Sequence, residues 1–135
     1  MSTPFNPTLV VTRKCNADLS SSAYLLVSCV GDDDIEVAGA TSTATGDLCI
    51  GALTNDVATG TASAPVSVPV QMGGMIKVKV GTGGIAAGDL AMAAADGTAI
   101  DVATNKYAFG IALESHAVGD IGAFLFAPSH YSVDT

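Results

Sequence analysis

The stretch VSVPVQMGGMIKVKV, residues 66–80, decides the fold class. Ile76, Val78 and Val80 alternate with Lys77 and Lys79, a period of two that puts apolar side chains on one face of a strand and both lysines on the other. Val66, Val68 and Val70 alternate in the same way with Ser67, Pro69 and Gln71. Gly73-Gly74 between the two runs suits a tight hairpin turn, where positive φ is required. Pro69 cannot donate to a ladder, so its strand is expected at a sheet edge or with that position turned outward. Further along, Tyr107, Phe109, Ile111 and Leu113 share one face of another alternating run. Residues 121–127 form a strand that is apolar on both faces, so each face is packed or one is closed by a neighbouring subunit. Residues 114–120 between them read as a loop. Residues 24–30, 35–37, 48–53 and 90–92 complete the expected strands. The Ala-rich segment 86–95 could pass for a helix, but Gly88-Asp89 and Asp96-Gly97 bracket a short strand instead. Gly51 and Gly60 recur at a constant offset as Gly110 and Gly119, with Pro69 matched by Pro128, a faint internal repeat. The expected fold class is all-β, built of short strands separated by turn residues.

With 135 residues the chain has the length of one domain. Hydrophobic residues make up 49% and charged residues 13%, about half the usual charged share. A chain this small hides little apolar surface by itself, so contacts between copies are expected. Thirteen acidic against five basic residues give a formal charge of −8, which repels phosphate backbones and argues against nucleic acid. No apolar run approaches the roughly 20 residues of a membrane helix. The start, residues 1–11, has no basic residue ahead of a hydrophobic block, unlike a secretory signal. Cys15, Cys29 and Cys49 are odd in number and widely spaced, which reads as reduced, mostly buried thiols in a cytoplasmic setting; a Cys15–Cys29 disulfide stays open.

The candidates for chemistry each lack a necessary part. Gly81, Gly83 and Ala86 have dinucleotide-loop spacing after a strand, with Asp101 near the ribose-acid position. The mechanism needs a helix N-terminus at the pyrophosphate, and Gly88-Asp89 interrupts any helix there. Asp32, Asp33, Asp34 and Glu36 could hold a hard cation, but Val37 stands where an EF-hand needs glycine. His116 lies near Ser115, Glu114 and Asp120, yet neighbours on a short loop cannot line up as nucleophile, base and orienter. Two isolated histidines and three scattered cysteines show no zinc spacing. No catalytic residue, cofactor or metal site is expected.

The N-terminal residues 1–12 read as an extended arm ahead of a single domain over 13–135. Pro4 and Pro7 bias their predecessors toward extended backbone, and Phe5 is a large apolar side chain in a polar setting. Phe5, Asn6, Pro7 and Leu9 are the candidate contact residues.

A family resemblance rests on four strings: GTGGIAAGDL at 81–90, DGTA at 96–99, FGIALE at 109–114 and AVGD at 117–120. In them a Gly-Asp turn leads into a strand, a Gly-x-Ala-Leu strand follows, and a second Gly-Asp turn opens another. Together with Asp18-Leu19 ahead of the Tyr24 strand, over roughly 16–127, this resembles the head decoration (capsid cement) proteins of tailed bacteriophages. The resemblance implies a β-tulip-like barrel that forms homotrimers on the outer capsid surface of the virion. Made in the host cytoplasm, such trimers clamp the major capsid protein, often through an N-terminal arm. The Ala/Thr-rich stretch 38–45 departs from the pattern. The alternatives are a lipoyl- or biotinyl-like barrel-sandwich module, which needs a lysine on a hairpin tip, and a small-ligand-binding β-barrel, which needs convergent polar groups in a pocket.

Overall fold

A computed structural model of the chain describes residues 9–31, 34–38, 49–103 and 106–131. Among these residues there are ten strands and no helix, so the all-β expectation holds. They are β1 (Leu9–Cys15), β2 (Leu26–Gly31), β3 (Asp34–Val37), β4 (Gly51–Leu53) and β5 (Val66–Gly73), then β6 (Met75–Lys79), β7 (Leu90–Ala93), β8 (Ala99–Asp101), β9 (Lys106–Ala112) and β10 (Ile121–Tyr131). The first five close into a barrel in the order β1-β3-β2-β4-β5, and the last five make a sheet in the order β6-β10-β9-β7-β8. The ends of that second sheet curl toward each other, because Val80, just past β6, bridges to Ala99 of β8. β1 begins at Leu9, inside the 1–12 span read as an arm, and pairs with β5 along its whole length.

The expected hairpin at Gly73-Gly74 does not form. β5 and β6 are consecutive, but β5 belongs to the barrel and β6 to the second sheet, and the chain crosses between them at Gly74, whose φ is 71°. Pro69 is not on an edge strand, since β5 lies between β4 and β1. It is tolerated because β4 has already ended: its last residue, Leu53, sits opposite Val70.

Two cores follow from this arrangement. Cys15, Leu19, Val27, Ile35, Leu53, Val68 and Val70 fill the barrel. The second core is built around Ile76, Val78, Phe109 and Phe124, and it takes in Leu26 and Ala52 from the outside of the barrel. β2 and β4 are therefore apolar on both faces, with Val27 and Leu53 turned inward and Leu26 and Ala52 turned to the second sheet. In β9 the face shared by Tyr107, Ile111 and Leu113 is the outer one. Tyr107 and Leu113 are 43% and 44% exposed, whereas Ala108, Gly110 and Ala112 are buried. Phe109 is the exception. A β10 bulge between Phe126 and Ser129 sets two residues, Ala127 and Pro128, opposite this one, and Phe109 turns into the core with its ring 5.2 Å from that of Phe124. Pro128 sits in that bulge, where no ladder donor is required.

The repeat expressed in three dimensions is shorter than the one read from Gly51 and Gly110. Ile85 and His116 pair antiparallel through two 2.9 Å hydrogen bonds. Each leads to a Gly-Asp turn, with Gly88 at φ 87° and Gly119 at φ 90°, values that favour glycine. Each turn is tied to the far strand end: Gly88 N–H donates to Ala112 (2.7 Å) and Gly119 N–H to Val80 (2.8 Å). Both Gly-Asp strings thus open strands, β7 and β10, as their turn chemistry requires.

Gln71 joins the two halves. It is 7% exposed and shares a face with Ala52, toward the second sheet. Its Oε1 accepts from Lys77 N–H at 2.9 Å, while its Nε2 donates to the carbonyls of Lys77 (3.1 Å) and Leu53 (3.0 Å). A second tie runs from Lys79 N–H to the carbonyl of Tyr24 at 2.9 Å. Asp18 Oδ1 accepts from Ser20 N–H, Ser20 Oγ and Thr59 Oγ1, which holds the turn that buries Leu19. These bonds, those to Ser20 first, pull the Asp18 carboxyl below the usual carboxylate range.

Replacing Gln71 by Leu keeps bulk but strips partners from three backbone groups, and is expected to cost about 3 kcal/mol in urea unfolding. Gln71→Glu should be as harmful, because an oxygen would then face two carbonyls. For Asp18 the folded chain binds the proton more weakly than the unfolded chain. Its stabilisation is complete above the ordinary carboxylate range and is lost as pH falls through the lowered folded value. Thermal melts of wild type and Asp18→Asn should differ at neutral pH and converge in acid.

Candidate functional site

Of the candidate contact residues, Phe5, Asn6 and Pro7 lie outside the described residues. Leu9 is the first residue of β1, 58% exposed, and its side chain lies against Gly73. Val10 and Val11 beside it are 49% and 36% exposed, so this strand presents apolar groups to solvent.

The groups with chemical potential are placed in structural work. Ser115 Oγ accepts from Ala87 N–H at 3.0 Å, which commits that hydroxyl to the paired turns. The ring of His116 packs over Gly122, with a Glu114 carboxylate oxygen 3.8 Å from Nε2 and an Asp120 carboxylate oxygen 3.8 Å from Nδ1. Gly81–Gly84 forms a turn, Gly84 N–H donating to Gly81, and runs into the Ile85–His116 pair instead of a helix. Asp34 carboxylate oxygens accept from Asn16 N–H (3.1 Å) and Nδ2 (3.2 Å), and Asp32 and Asp33 lie outside the described residues. Among the described residues no three acidic, His or Cys side chains gather as a metal would need. No disulfide joins the three cysteines, of which Cys15 and Cys49 are buried and Cys29 exposed. Lys77 and Lys79 are strand residues of β6, not a hairpin tip.

The larger surface feature is the outer face of the second sheet. Leu113, Ile121 and Leu125 are 41–44% exposed, and Val118 is 65% exposed. Apolar groups of this size in one region mark contact surfaces more often than catalytic ones. At its β7–β8 end is an open hollow of about 460 Å³, lined by Gly88, Asp89, Leu90, Asp101 and Val102. Partial burial, and then the charge and hydrogen bond of Asp89, push the Asp101 carboxyl above the usual range. Sequence alternation marked Ile111, Leu113 and Leu125 as apolar strand residues. It carried no signal for which side they face, because that depends on the strand order.

No protein-family model matches the chain, and no curated protein sequence matches it. Among solved structures, the head fiber gp8.5 N base of bacteriophage phi29 is similar, with a TM-score of 0.65 and 22% sequence identity. The superposition covers 89% of this chain and 94% of that one. At that identity the likeness speaks to the fold, and it spans both the barrel and the second sheet.

A double-mutant cycle tests the packing of His116. A Cβ at residue 122 would stand 2.5 Å from His116 Cδ2 and 2.9 Å from Nε2. Gly122→Ala should therefore destabilise by about 1–3 kcal/mol through overpacking. Adding His116→Ala should recover most of that loss, so the two effects should not be additive in denaturant titrations.

Proposed function

We propose that this chain is a non-catalytic structural protein of a phage head. It binds the outside of the assembled shell as a homotrimer, contacts the major capsid protein and stabilises the lattice. The observation that carries this reading is the likeness in fold, over nearly the whole of both chains, to a protein described as the base of a phage head fiber. The Gly-Asp turn strings of the sequence point the same way, as does a sheet face on which Leu113, Ile121 and Leu125 are exposed. A protein that binds the assembled lattice and not loose subunits stabilises the assembled state by linkage. Several weak contacts from one trimer add through avidity. The acidic balance, −8 overall, keeps such a protein off the packaged nucleic acid and in solution before it docks.

The arm is part of the proposal, with Phe5, Asn6, Pro7 and Leu9 as capsid contacts. Burial of Phe5 against a partner is worth roughly 1.5–3 kcal/mol. Electron microscopy of heads incubated with the purified protein should show density at the outer surface. Deleting residues 2–8, which precede β1, should leave the fold and melting nearly unchanged while head binding weakens by orders of magnitude. Phe5→Ala should reproduce much of that loss. Unchanged decoration by the truncated protein would remove the arm from the contact, and absence of density on heads would remove the capsid reading itself.

A further inference from the structure

Two stretches of strand have an open side near the crossing between β5 and β6. β1 pairs with β5 along its length, but only Lys14 meets β3, opposite Asp34. Among the described residues, 9–12 therefore have a strand on one side alone. The carbonyl of Gln71 lies against Gly51 of β4, so Val10, opposite Gln71, turns its own N–H and C=O away from β5. Thr12, two residues on, does the same, and its partner Pro69 has no N–H to offer it. Residues 9–12 are all exposed and include no charge and no proline, so nothing blunts this edge. The second stretch is the far half of β10. β6 begins at Met75, opposite Leu125, and the carbonyl of Gly74 accepts from Phe126 N–H at 2.9 Å. Beyond that point residues 129–131 pair with β9 on one side, and among the described residues no strand lies on the other. Ala127, Pro128 and Ser129 are exposed one after another. Both stretches start from the same crossing, since Leu9 lies opposite Gly73 and Phe126 is bonded to Gly74.

We propose that these two edges pair with each other between copies, β1 of one copy adding to β10 of the next. The proposal rests on the homotrimer reading above and names the surface that makes it. In a three-fold ring every copy has two different neighbours, so the interface joins two unlike surfaces. Two β1 edges paired with each other would make a two-fold dimer and close no ring. Open strand edges are complementary through their backbones, and a chain that carries two of them holds both halves of a head-to-tail contact. The pairing gives the outward N–H and C=O groups of Val10 and Thr12 a ladder partner. It also takes the side chains of Val10, Val11 and Ala127 out of water. The end strands of the second sheet are not open in this way. Gln71 and Tyr24 bond the flank of β6, and Val80 bridges to β8.

The test is sedimentation velocity on the full chain at micromolar concentration, with circular dichroism melts as a check on folding. The wild type is expected to be a trimer. Thr12→Pro removes an N–H that β5 does not use, so its melt should stay near that of wild type while the trimer weakens by about tenfold or more. Val11→Pro takes an N–H from the β5 ladder and should lower the melting temperature, which separates loss of fold from loss of assembly. Cysteine pairs decide the matter should Thr12→Pro melt early. Val10→Cys or Thr12→Cys is combined with Ala127→Cys or Ser129→Cys, and oxidation should give covalent trimers on a denaturing gel. No single substitution should do so, although the exposed Cys29 is present in every variant. A Thr12→Pro trimer as tight as wild type, or no cross-link from any pair, overturns this interface and leaves the homotrimer standing. A Thr12→Pro trimer that no longer decorates heads overturns it in favour of a capsid strand on that edge. A wild type that is a monomer or a dimer removes the three-fold reading, and this interface with it.

Discussion

The barrel and the second sheet are held in one arrangement by the side-chain amide of Gln71. An edge strand leaves backbone N–H and C=O groups without a ladder, and burying them unpaired is costly. β6 is such an edge, and its flank is pressed against the barrel. Gln71 meets the N–H and C=O of Lys77 with the acceptor and donor of a single amide, as a neighbouring strand would. The second hydrogen on Nε2 goes to Leu53 in the barrel. One polar side chain therefore partners three backbone groups at the boundary that the two sheets share.

That boundary explains the composition. β2 and β4 are covered on both faces, by the barrel interior on one side and by the second sheet on the other. A small chain that buries two strands in this way needs little polar surface there, and part of the high apolar content is used inside. The rest is on the outer face of the second sheet and along β1, where a single copy leaves it in water. The mean hydropathy of +0.48 thus has two separate sources, and only the outer one bears on partners.

Local patterns carried the strand at Met75 and the Gly-Asp turns, because alternation and positive φ are properties of neighbouring residues. The supposed hairpin at Gly73-Gly74 failed because the choice between pairing back and crossing to another sheet is made by distant contacts, here Gln71 and Tyr24 with β6. β1 was not recognised as a strand. Most of its side chains stay exposed, so no inward-outward contrast marks Leu9–Lys14, and only Cys15 is buried. β8 has three residues, too few for a period to register. The apolar outer face of the second sheet is written in residues from Met75 to Leu125, and only the order β6-β10-β9-β7 brings them side by side. Its ingredients were legible, but its existence as a surface was not.

The closure of the barrel by β1 and β5 has a consequence for biosynthesis. Cys15 pairs with Val66 and Leu9 with Gly73, so β1 is completed by a strand that leaves the ribosome some fifty residues later. At roughly 5–20 residues per second that is a wait of several seconds. For that time an apolar strand stands with open edges on nascent chains that are crowded together, the condition under which strands of different molecules pair wrongly. Arg13 and Lys14, adjacent and at the end of that strand, are well placed as gatekeepers, since like charges on two nascent chains repel before their strands can align.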